Sequence, residues 1–291
     1  MFTGILPALV TPLNEDHTVN ERVVRELLEY ELTQGADGFY ITGATGEGLV
    51  MRPEARMDMA EIAVNQLAGR KPCIAHVAAV DLETTLRLAR HAERAGCDCV
   101  AAIPPIYFSY GQDEIYRYYH AISEAVHIPV MIYHHPAAGV ELPADFIKRL
   151  FEIDNIRAVK WSYPNYFEML RLKDITHGEM NILNGPDETL LCGLAVGADA
   201  GIGTTYNFLL PEFKALYAAF RAGEMRQALV EQQKIDRIIH VLFSYPLIPA
   251  TKAVMRCKGF DVGHATDPMK RLTAEEAETL ILSLTQAGLE L

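Results

Sequence analysis

The chain has 291 residues, of which half are hydrophobic and 22% are charged. This composition is typical of a globular protein with enough chain for a large core and one or two domains. The formal net charge of −12, without any basic block, argues against binding to nucleic acid or to an anionic membrane surface.

Neither the apolar runs nor the cysteines indicate a membrane or an oxidising compartment. The apolar runs are too short to span a bilayer, and strand-like sequence follows Met1 directly, where a signal segment would have basic and then apolar residues. The five cysteines are an odd number without metal-type spacing: Cys73, Cys97, Cys99, Cys192 and Cys257. Such usage is typical of buried free thiols in a reducing compartment, so we expect a cytoplasmic protein.

Short apolar runs alternate with helical segments along the first 200 residues. The runs predicted to be strands are Ile5–Val10, Gly38–Thr42, Cys73–Val77, Cys99–Ile103, Pro129–Tyr133, Ile156–Ser162, Asn181–Asn184 and Ala200–Ile202. Helical spacing predicts helices at Asn20–Gln34, Pro53–Leu67, Leu82–Ala95, Gln112–Val126, Pro143–Ile153, Met169–Thr176 and Glu188–Val196. Strict alternation predicts a parallel α/β sheet, and eight units fit a closed (β/α)8 TIM barrel better than an open doubly wound sheet.

The predicted strands stop before Pro211. Four further helices are predicted, at Phe213–Ala222, Ala228–Phe243, Ala250–Lys258 and Ala274–Ala287. Because these exceed what a barrel needs, we predict a catalytic barrel over residues 1–222 and a C-terminal helical domain over residues 223–291. No Gly-x-Gly-x-x-Gly turn follows the first strand, so the sequence gives no support for dinucleotide binding.

One predicted strand, Ile156–Ser162, contains a lysine, Lys160, within an apolar run. Such a lysine either extends its ammonium group to water or loses part of its charge. In the second case the lowered pKa makes the amine a nucleophile that can form a Schiff base with a carbonyl group. The strand by itself favours the lysine that reaches water, and both interpretations remain open at this point.

Polar residues stand at the ends of the predicted strands. In a barrel the working face lies at the C-terminal ends of the strands, so these side chains should converge on one pocket. They are Thr42, Thr45, Tyr107, Tyr133, Lys160, Ser162, Asp187, Glu188, Thr204 and Thr205. One lysine, two tyrosines and several hydroxyl groups suit the binding of a 2-keto acid and bond cleavage or formation beside its carbonyl. Each also has an ordinary alternative as a core tyrosine, a helix cap or a carboxylate at a helix N-terminus.

The turn Gly43–Gly48, which begins with Gly43, Ala44 and Thr45, follows the second predicted strand. Its backbone N–H groups and the Thr45 hydroxyl could bind a carboxylate. Because Gly-x-x-Gly turns are common, a plain connection between strand and helix is the alternative.

The adjacent histidines His134 and His135 could suggest a metal site. Neighbouring residues of a strand face opposite sides, so we expect a role in the loop instead and predict no metal.

Five motifs together resemble the pyruvate-dependent class I lyases and synthases typified by N-acetylneuraminate lyase and dihydrodipicolinate synthase. They are Gly43-Ala44-Thr45-Gly46-Glu47, Pro105-Ile106-Tyr107, Tyr133 followed by Pro136, Lys160, and Gly203-Thr204-Thr205-Tyr206-Asn207. The resemblance covers the whole chain. It implies a barrel with a C-terminal helical domain, usually a homotetramer, and catalysis through a covalent imine without a metal or organic cofactor.

The resemblance also implies roles for individual residues. Lys160 matches the Schiff-base lysine, Tyr133 the proton shuttle, and Thr45 with its turn the carboxylate site. Tyr107 matches a tyrosine that reaches the site of a neighbouring subunit. The family usually has Ser or Thr where this chain has Ala44, so one hydroxyl of the expected proton relay is missing.

Two subtypes of the family differ at positions that can be compared with this sequence. Dihydrodipicolinate synthases have an arginine shortly after the Tyr133 position, and the stretch Pro136–Gly139 has none. Sialic acid lyases have Gly-x-Asp-Glu after the seventh strand, Gly-Ser-Thr-Tyr-Asn after the eighth, and a hydroxyl residue two positions after the lysine. The corresponding residues here are Gly185, Asp187 and Glu188, the Gly203–Asn207 segment, and Ser162. By this resemblance Asp187, Glu188 and Thr204 bind the polyol tail of a sugar acid, while the loop after Tyr133 is shorter than in sialic acid lyases.

We therefore expect a class I aldolase that cleaves N-acetylneuraminate, or a related 2-keto-3-deoxy sugar acid, to pyruvate and an aldehyde. Two alternatives use the same imine, namely a dihydrodipicolinate synthase-like activity and a sugar-acid dehydratase. A third is a catalytically silent protein that binds a keto acid, for which Ala44 is the only hint.

Overall fold

The computed structural model describes residues 1–291 and contains eight strands and eleven α-helices. The strands are β1 (Gly4–Pro7), β2 (Phe39–Ile41), β3 (Cys73–His76), β4 (Cys99–Ala102), β5 (Val130–His134), β6 (Ile156–Trp161), β7 (Asn181–Asn184) and β8 (Ala200–Gly203). The helices are α1 (Glu21–Thr33), α2 (Pro53–Leu67), α3 (Leu82–Ala95), α4 (Gln112–Ala125), α5 (Ala144–Phe151), α6 (Tyr166–Ile175), α7 (Leu190–Ala195), α8 (Tyr206–Arg221), α9 (Met225–Leu242), α10 (Leu247–Cys257) and α11 (Ala274–Gln286). All predicted strands and helices are present in the predicted order.

The eight strands form one parallel sheet that curls into a barrel. The strand order is β1-β8-β7-β6-β5-β4-β3-β2, so each strand pairs with its neighbour in the chain and β1 pairs with β8. The ring is closed between β1 and β2 by a parallel bridge from Ala8 to Tyr40, where the Leu9 N–H donates to the Tyr40 carbonyl at 2.9 Å. The predicted TIM barrel is confirmed, and all strand C-termini meet at one face.

Side chains alternate between the barrel interior and the layer beneath the helices, as the period of two along a strand requires. Twelve buried residues fill the interior, including Leu6, Met131, Ala158 and Leu183. A separate cluster of 72 buried residues combines the outward-facing side chains of the strands with those of the helices packed around them. Because Ala158 points inward, the same alternation directs the side chain of Lys160, two residues further along β6, into the barrel.

Helix termini are encoded locally. The side chains of Asn20 and Asp81 accept hydrogen bonds from the first turns of α1 and α3, which satisfies N–H groups that have no partner within the helix. Gly96 ends α3 with φ of +96°, a left-handed conformation that glycine adopts without a steric penalty. Because these capping residues are visible in the sequence, the predicted ends of α1 and α3 agree closely with the observed ones.

Two helices differ from their predicted bounds. The sequence predicts a helix from Phe213, but α8 begins at Tyr206 and contains Pro211. Proline removes a backbone donor and therefore predicts a stop, but Leu209 (φ −124°, ψ 23°) interrupts the helical geometry just before it and accommodates the kink. The predicted helix Glu188–Val196 begins as a 3₁₀ turn, Asp187–Thr189, before α7.

Three smaller differences concern a strand, a helix and the cysteines. The first strand ends at Pro7 and not at Val10, because Ala8 forms only an isolated bridge to Tyr40 beyond the ladder with β8. Helix α6 starts three residues early, at Tyr166, where the Asn165 side chain caps it. All five cysteines are free, but only three are buried: Cys192 and Cys257 are exposed because they lie on the outward faces of α7 and α10.

The C-terminal helices α9–α11 pack onto the barrel through the same buried cluster that underlies the barrel helices, including Ile235 and Leu280. The predicted division at residue 222 stays a prediction. No single helix has both the length and the hydropathy to cross a membrane, although α9 and α10 pass that test as a pair bent by 109°.

Asn207 holds the seam between β1 and β8 at the active face. It is fully buried, its Oδ1 accepts from the Val10 N–H at 3.1 Å, and its Nδ2 donates to the carbonyls of Ala8 and Thr204, both at 2.7 Å. One side chain therefore makes hydrogen bonds to three backbone groups at the ends of two neighbouring strands.

We predict that Asn207→Ala lowers the free energy of unfolding by about 3 kcal/mol, because the Val10 N–H and the Ala8 carbonyl lose the hydrogen bonds that the Asn207 side chain makes to them. Urea denaturation followed by circular dichroism measures the change. Asn65→Ala, at an exposed position, is the control and should shift stability by less than about 0.5 kcal/mol. Equal stability of the two variants would show that Asn207 does not hold the seam.

Candidate active site

Lys160 lies at the C-terminal end of β6, inside the mouth of the barrel. It pairs in register with Tyr133 of β5 on one side and with Leu183 of β7 on the other. The residue is only 5% exposed, and its Nζ lies 4.4 Å from the centroid of the Tyr40 ring and 4.5 Å from that of Tyr133. The amine therefore does not extend to bulk water, which rules out the interpretation of Lys160 as a lysine that reaches solvent from the end of its strand.

The Lys160 amine has no ionic partner within 4.0 Å and no hydrogen bond to the protein. Burial lowers its pKa to about 7, and the more distant Asp187 carboxylate opposes this shift. Burial exceeds the opposing charge because an ammonium ion loses most of its hydration when it is enclosed without a partner. Near neutral pH a large fraction of the amine is therefore uncharged and nucleophilic.

Tyr133 stands beside Lys160 with its ring packed against the rings of Tyr40 and His76, at centroid distances of 6.2 and 5.9 Å. Burial raises the pKa of its phenol, and the nearby Ser162 hydroxyl works in the opposite direction. The phenol is therefore protonated at neutral pH and can act as a proton donor. Ala44 contributes no hydroxyl, so Ser162 is the hydroxyl that accompanies Tyr133 in this site.

The turn Gly43–Gly48 presents unused backbone donors to the same region. The N–H groups of Ala44 and Thr45 donate to no acceptor within the protein, and the Thr45 hydroxyl shares a hydrogen bond of 2.7 Å with Thr204. The turn is tight: a Cβ on Gly48 would lie 1.8 Å from the carbonyl oxygen of Thr42. Two free N–H groups beside a hydroxyl form a site suited to a carboxylate.

Asp187 forms the opposite wall. Its Oδ2 accepts hydrogen bonds from the backbone N–H and the hydroxyl of Thr205, both at 2.6 Å. Burial nevertheless raises the pKa of its carboxyl to about 6, and the hydrogen bonds from Thr205 offset only part of this effect. A Cβ on Gly203 would lie 2.1 Å from Asp187 Oδ1, so only glycine permits this close packing. Glu188, next along the chain, is half-buried at the cavity.

A cavity of about 290 Å³ joins these elements. Ten of the thirteen residues predicted from the sequence to form the site line it: Ala44, Thr45, Tyr133, Lys160, Ser162, Gly185, Asp187, Glu188, Thr204 and Thr205. Gly185 is required there, because a Cβ would lie 1.9 Å from Ser162 Oγ. A larger surface cleft of about 580 Å³, lined by Arg256 and His264 among others, contains none of the predicted residues.

The other three predicted residues, Thr42, Gly43 and Tyr107, do not line the cavity. The buried Thr42 hydroxyl donates instead to the His76 carbonyl at 2.8 Å. Gly43 supports the turn from behind, where a Cβ would lie 2.3 Å from the Tyr40 ring. Tyr107 is 89% exposed, has φ of +82°, and stacks edge-on with the exposed ring of Phe108. Within one chain Tyr107 is therefore remote from the lysine.

Several residues of the site escaped prediction from sequence. His135 lines the cavity with its ring 5.2 Å from that of Tyr133, and burial followed by the Lys160 charge lowers its pKa. An apolar wall comes from α9, α10 and the loop between them: Ile239, Phe243, Leu247 and Ile248. For His135, the pair of adjacent histidines at the end of β5 was the only indication in the sequence. For the apolar wall the sequence gives no local indication, because its residues have the pattern of an ordinary helix core.

The adjacent histidines His134 and His135 lie in different surroundings. His134 is buried and stacks on Tyr163 with its Nε2 accepting from the Leu142 N–H, whereas His135 faces the cavity. No group of three or more His, Cys, Asp or Glu side chains is arranged to hold a metal ion.

Comparison with known proteins gives consistent matches along the whole chain. The family model described as the dihydrodipicolinate synthetase family matches residues 1–287. The N-acetylneuraminate lyase of Rhizobium meliloti (strain 1021) is 31% identical over 96% of this chain and 92% of its own length. That of Enterobacter sp. (strain 638) is 32% identical over 87% and 85%, respectively.

Solved structures agree with these matches. Proteus mirabilis N-acetylneuraminate lyase superposes with a TM-score of 0.94 at 29% identity, covering 99% of both chains. A dihydrodipicolinate synthase from Bacillus anthracis gives a TM-score of 0.93 at 28% identity, covering 98% of both chains. Relatives in both groups are similar to this chain at nearly the same level, so overall similarity supports the class I aldolase type and a carbon–carbon lyase without selecting a substrate. The chain belongs to the dihydrodipicolinate synthetase family.

Proposed function

We propose that this protein cleaves N-acetylneuraminate, or a related 2-keto-3-deoxy sugar acid, to pyruvate and an aldehyde through an imine on Lys160. The observation that carries the proposal is the buried Lys160 amine, unpaired and with its pKa lowered to about 7, facing a cavity with free N–H donors. Such an amine can attack a carbonyl at neutral pH.

The first step joins the substrate to the lysine. The free amine of Lys160 attacks the C2 carbonyl carbon, and loss of water leaves a protonated imine. The substrate carboxylate accepts hydrogen bonds from the N–H groups of Ala44 and Thr45 and from the Thr45 hydroxyl. Tyr133 donates the proton with which the carbinolamine oxygen leaves as water, which makes the phenol a phenolate.

The second step breaks the C3–C4 bond. The Tyr133 phenolate takes the proton of the C4 hydroxyl, the C3–C4 electron pair moves into the imine, and C4 becomes the aldehyde carbon. The resulting enamine is protonated at C3, and hydrolysis releases pyruvate and the free lysine. Because the protonated imine is itself the electron sink, this route uses neither a metal nor an organic cofactor.

The cavity also supports a sugar acid as the substrate. The carboxylates of Asp187 and Glu188 can accept hydrogen bonds from the hydroxyl groups of a polyol tail, and Thr204 adds a hydroxyl. The apolar wall of Phe243, Leu247 and their neighbours suits carbon chain or an acyl substituent. A synthase that binds a second carboxylate would need a cation after β5, and the 3₁₀ turn Pro136–Ala138 has none.

Tyr107 motivates a proposal about assembly. Its exposed ring, paired with that of Phe108, is an apolar surface that a second copy of the chain could cover. We propose a homotetramer in which Tyr107 reaches the site of a neighbouring subunit. Free cysteines support a cytoplasmic location, and the acidic net charge supports the absence of nucleic-acid and membrane partners.

We predict that sodium borohydride in the presence of pyruvate traps a stable adduct on Lys160. Peptide mass spectrometry identifies the modified residue. Lys252 is a matched control within the same protein, because it is also buried but pairs with a carboxylate, so it should remain unmodified. Lys160→Ala should abolish the adduct together with cleavage of N-acetylneuraminate. A folded protein that forms no adduct in excess pyruvate would refute the imine mechanism.

We predict that the initial rate of imine formation at saturating pyruvate rises with pH through about 7 and then levels off. Only the uncharged amine attacks, and burial lowers the pKa of Lys160 to about 7. Asp187→Asn should move the midpoint to lower pH, because the Asp187 charge raises the pKa of Lys160. Trapping with cyanoborohydride across this pH range measures the rate. A rate that keeps rising toward the ordinary lysine pKa of about 10.4 would contradict the shift.

We predict that Glu188→Gln lowers kcat/KM for N-acetylneuraminate about tenfold to a hundredfold, because a hydrogen bond to a charged group contributes about 1.5–3 kcal/mol. Trapping with pyruvate should be unaffected, since pyruvate has no polyol tail. Glu179→Gln, an exposed acid outside the cavity, serves as the control. If Glu188→Gln changes neither measurement, Glu188 does not bind the tail, and a panel of shorter 2-keto-3-deoxy acids then identifies the substrate.

A further inference from the structure

Glu47 and Lys252 form an ion pair at the back of the active-site turn. Glu47 Oε1 lies 2.6 Å from Lys252 Nζ, and both side chains are 0% exposed. No other ion pair in the structure has both partners fully buried. Such a pair adds little net stability, because the desolvation of the two charges offsets most of their mutual attraction.

The pair joins three parts of the chain that are distant in sequence. Glu47 ends the active-site turn with φ of +60°, a left-handed conformation uncommon for a side chain of this size. Its Oε2 accepts a hydrogen bond from the backbone N–H of Thr266. Lys252, on α10, also donates to the carbonyl of His264 at 2.9 Å. The turn, α10 and the loop around residue 265 are therefore held at one point.

Two of these parts contribute residues to the lining of the cavity. The turn supplies the free N–H groups of Ala44 and Thr45, whereas α10 begins with Leu247 and Ile248, which line the apolar wall. Lys252 lies five residues after Leu247 on the same helix. A rigid connection between Glu47 and Lys252 thus sets the distance between the carboxylate donors and the apolar wall.

We propose that Glu47 and Lys252 are positioning residues, which hold the N–H donors of the turn at a fixed separation from α10 and so orient the keto acid on Lys160. This inference rests on the proposed function. A buried ion pair adds little net stability compared with apolar residues of similar size, whereas its directional contacts specify one arrangement. The pair therefore acts on substrate binding more than on the stability of the fold.

The double variant Glu47→Gln/Lys252→Met separates these two effects. It removes both charges together, so neither is left buried without a partner. The amide oxygen of the introduced glutamine can still accept from the Thr266 N–H, and methionine retains most of the volume of the lysine chain. The matched control is Lys173→Met/Asp199→Asn, which removes another ion pair, 2.8 Å long, next to the N-terminal ends of β7 and β8 at the opposite end of the barrel.

Two readouts test the proposal in wild type and variants: the pyruvate concentration at half-maximal borohydride trapping, and the amide hydrogen exchange of residues 43–48. We expect the double variant to fold and to need at least about tenfold more pyruvate than wild type for half-maximal trapping. Its maximal trapping rate should stay close to that of wild type, and the amides of residues 43–48 should exchange faster. The control should match wild type in both readouts. If the double variant does not fold, Lys252→Gln, which keeps a donor for Glu47, is subjected to the same measurements.

The outcomes distinguish the two proposals. An adduct on wild-type Lys160, with unchanged half-saturation and unchanged exchange in a folded double variant, would overturn the positioning role and leave the imine mechanism intact. Absence of an adduct on wild-type protein would overturn the imine mechanism. In that case the exchange of residues 43–48 alone decides whether the pair fixes the turn.

Discussion

Closure of the sheet between β1 and β2 is the constraint on which the site depends. The bridge from Ala8 to Tyr40 joins the two ends of an eight-stranded sheet, so the C-termini of all strands form one ring. In an open sheet, residues at the ends of distant strands would lie far apart. In the ring, Thr45 after β2 and Thr204 after β8 meet at 2.7 Å although 159 positions separate them. Closure also buries Lys160 at the mouth of the barrel, whose interior is filled with buried side chains.

Two buried lysines show how the surroundings determine what a charge does. Lys160 and Lys252 are both enclosed, and burial lowers the pKa of each. Lys252 lies 2.6 Å from a carboxylate, whose charge counteracts that shift, so it serves as a structural cation. Lys160 has two aromatic rings and a more distant carboxylate as neighbours, and its amine is left free to react. The two lysines thus differ in whether a carboxylate lies in contact with the amine.

The cavity combines parts of different origin. Polar groups come from the strand ends, where the barrel positions hydroxyl, carboxylate and amine groups within reach of one small molecule. The apolar wall comes from α9, α10 and their connection, beyond the last strand. The C-terminal helices are therefore part of the site and not only a covering of the barrel. The buried pair of Glu47 and Lys252 and the hydrogen bond from the Thr266 N–H to Glu47 link these helices and the loop that follows α10 to the turn.

The sequence by itself determined the order of strands and helices, the closed barrel and ten of the residues that line the cavity, because these follow from local periodicity and from motifs at strand ends. It did not determine whether the Lys160 amine is buried, because the sequence of an apolar strand with one lysine is the same whether that lysine reaches water or not. Only the tertiary structure settled this, by packing Tyr40 and Tyr133 around the amine. The start of α8, the place of His135 at the cavity and the apolar wall were also decided by packing between distant segments. Burial and contact are properties of the folded chain, and no local pattern specifies which distant residue supplies them.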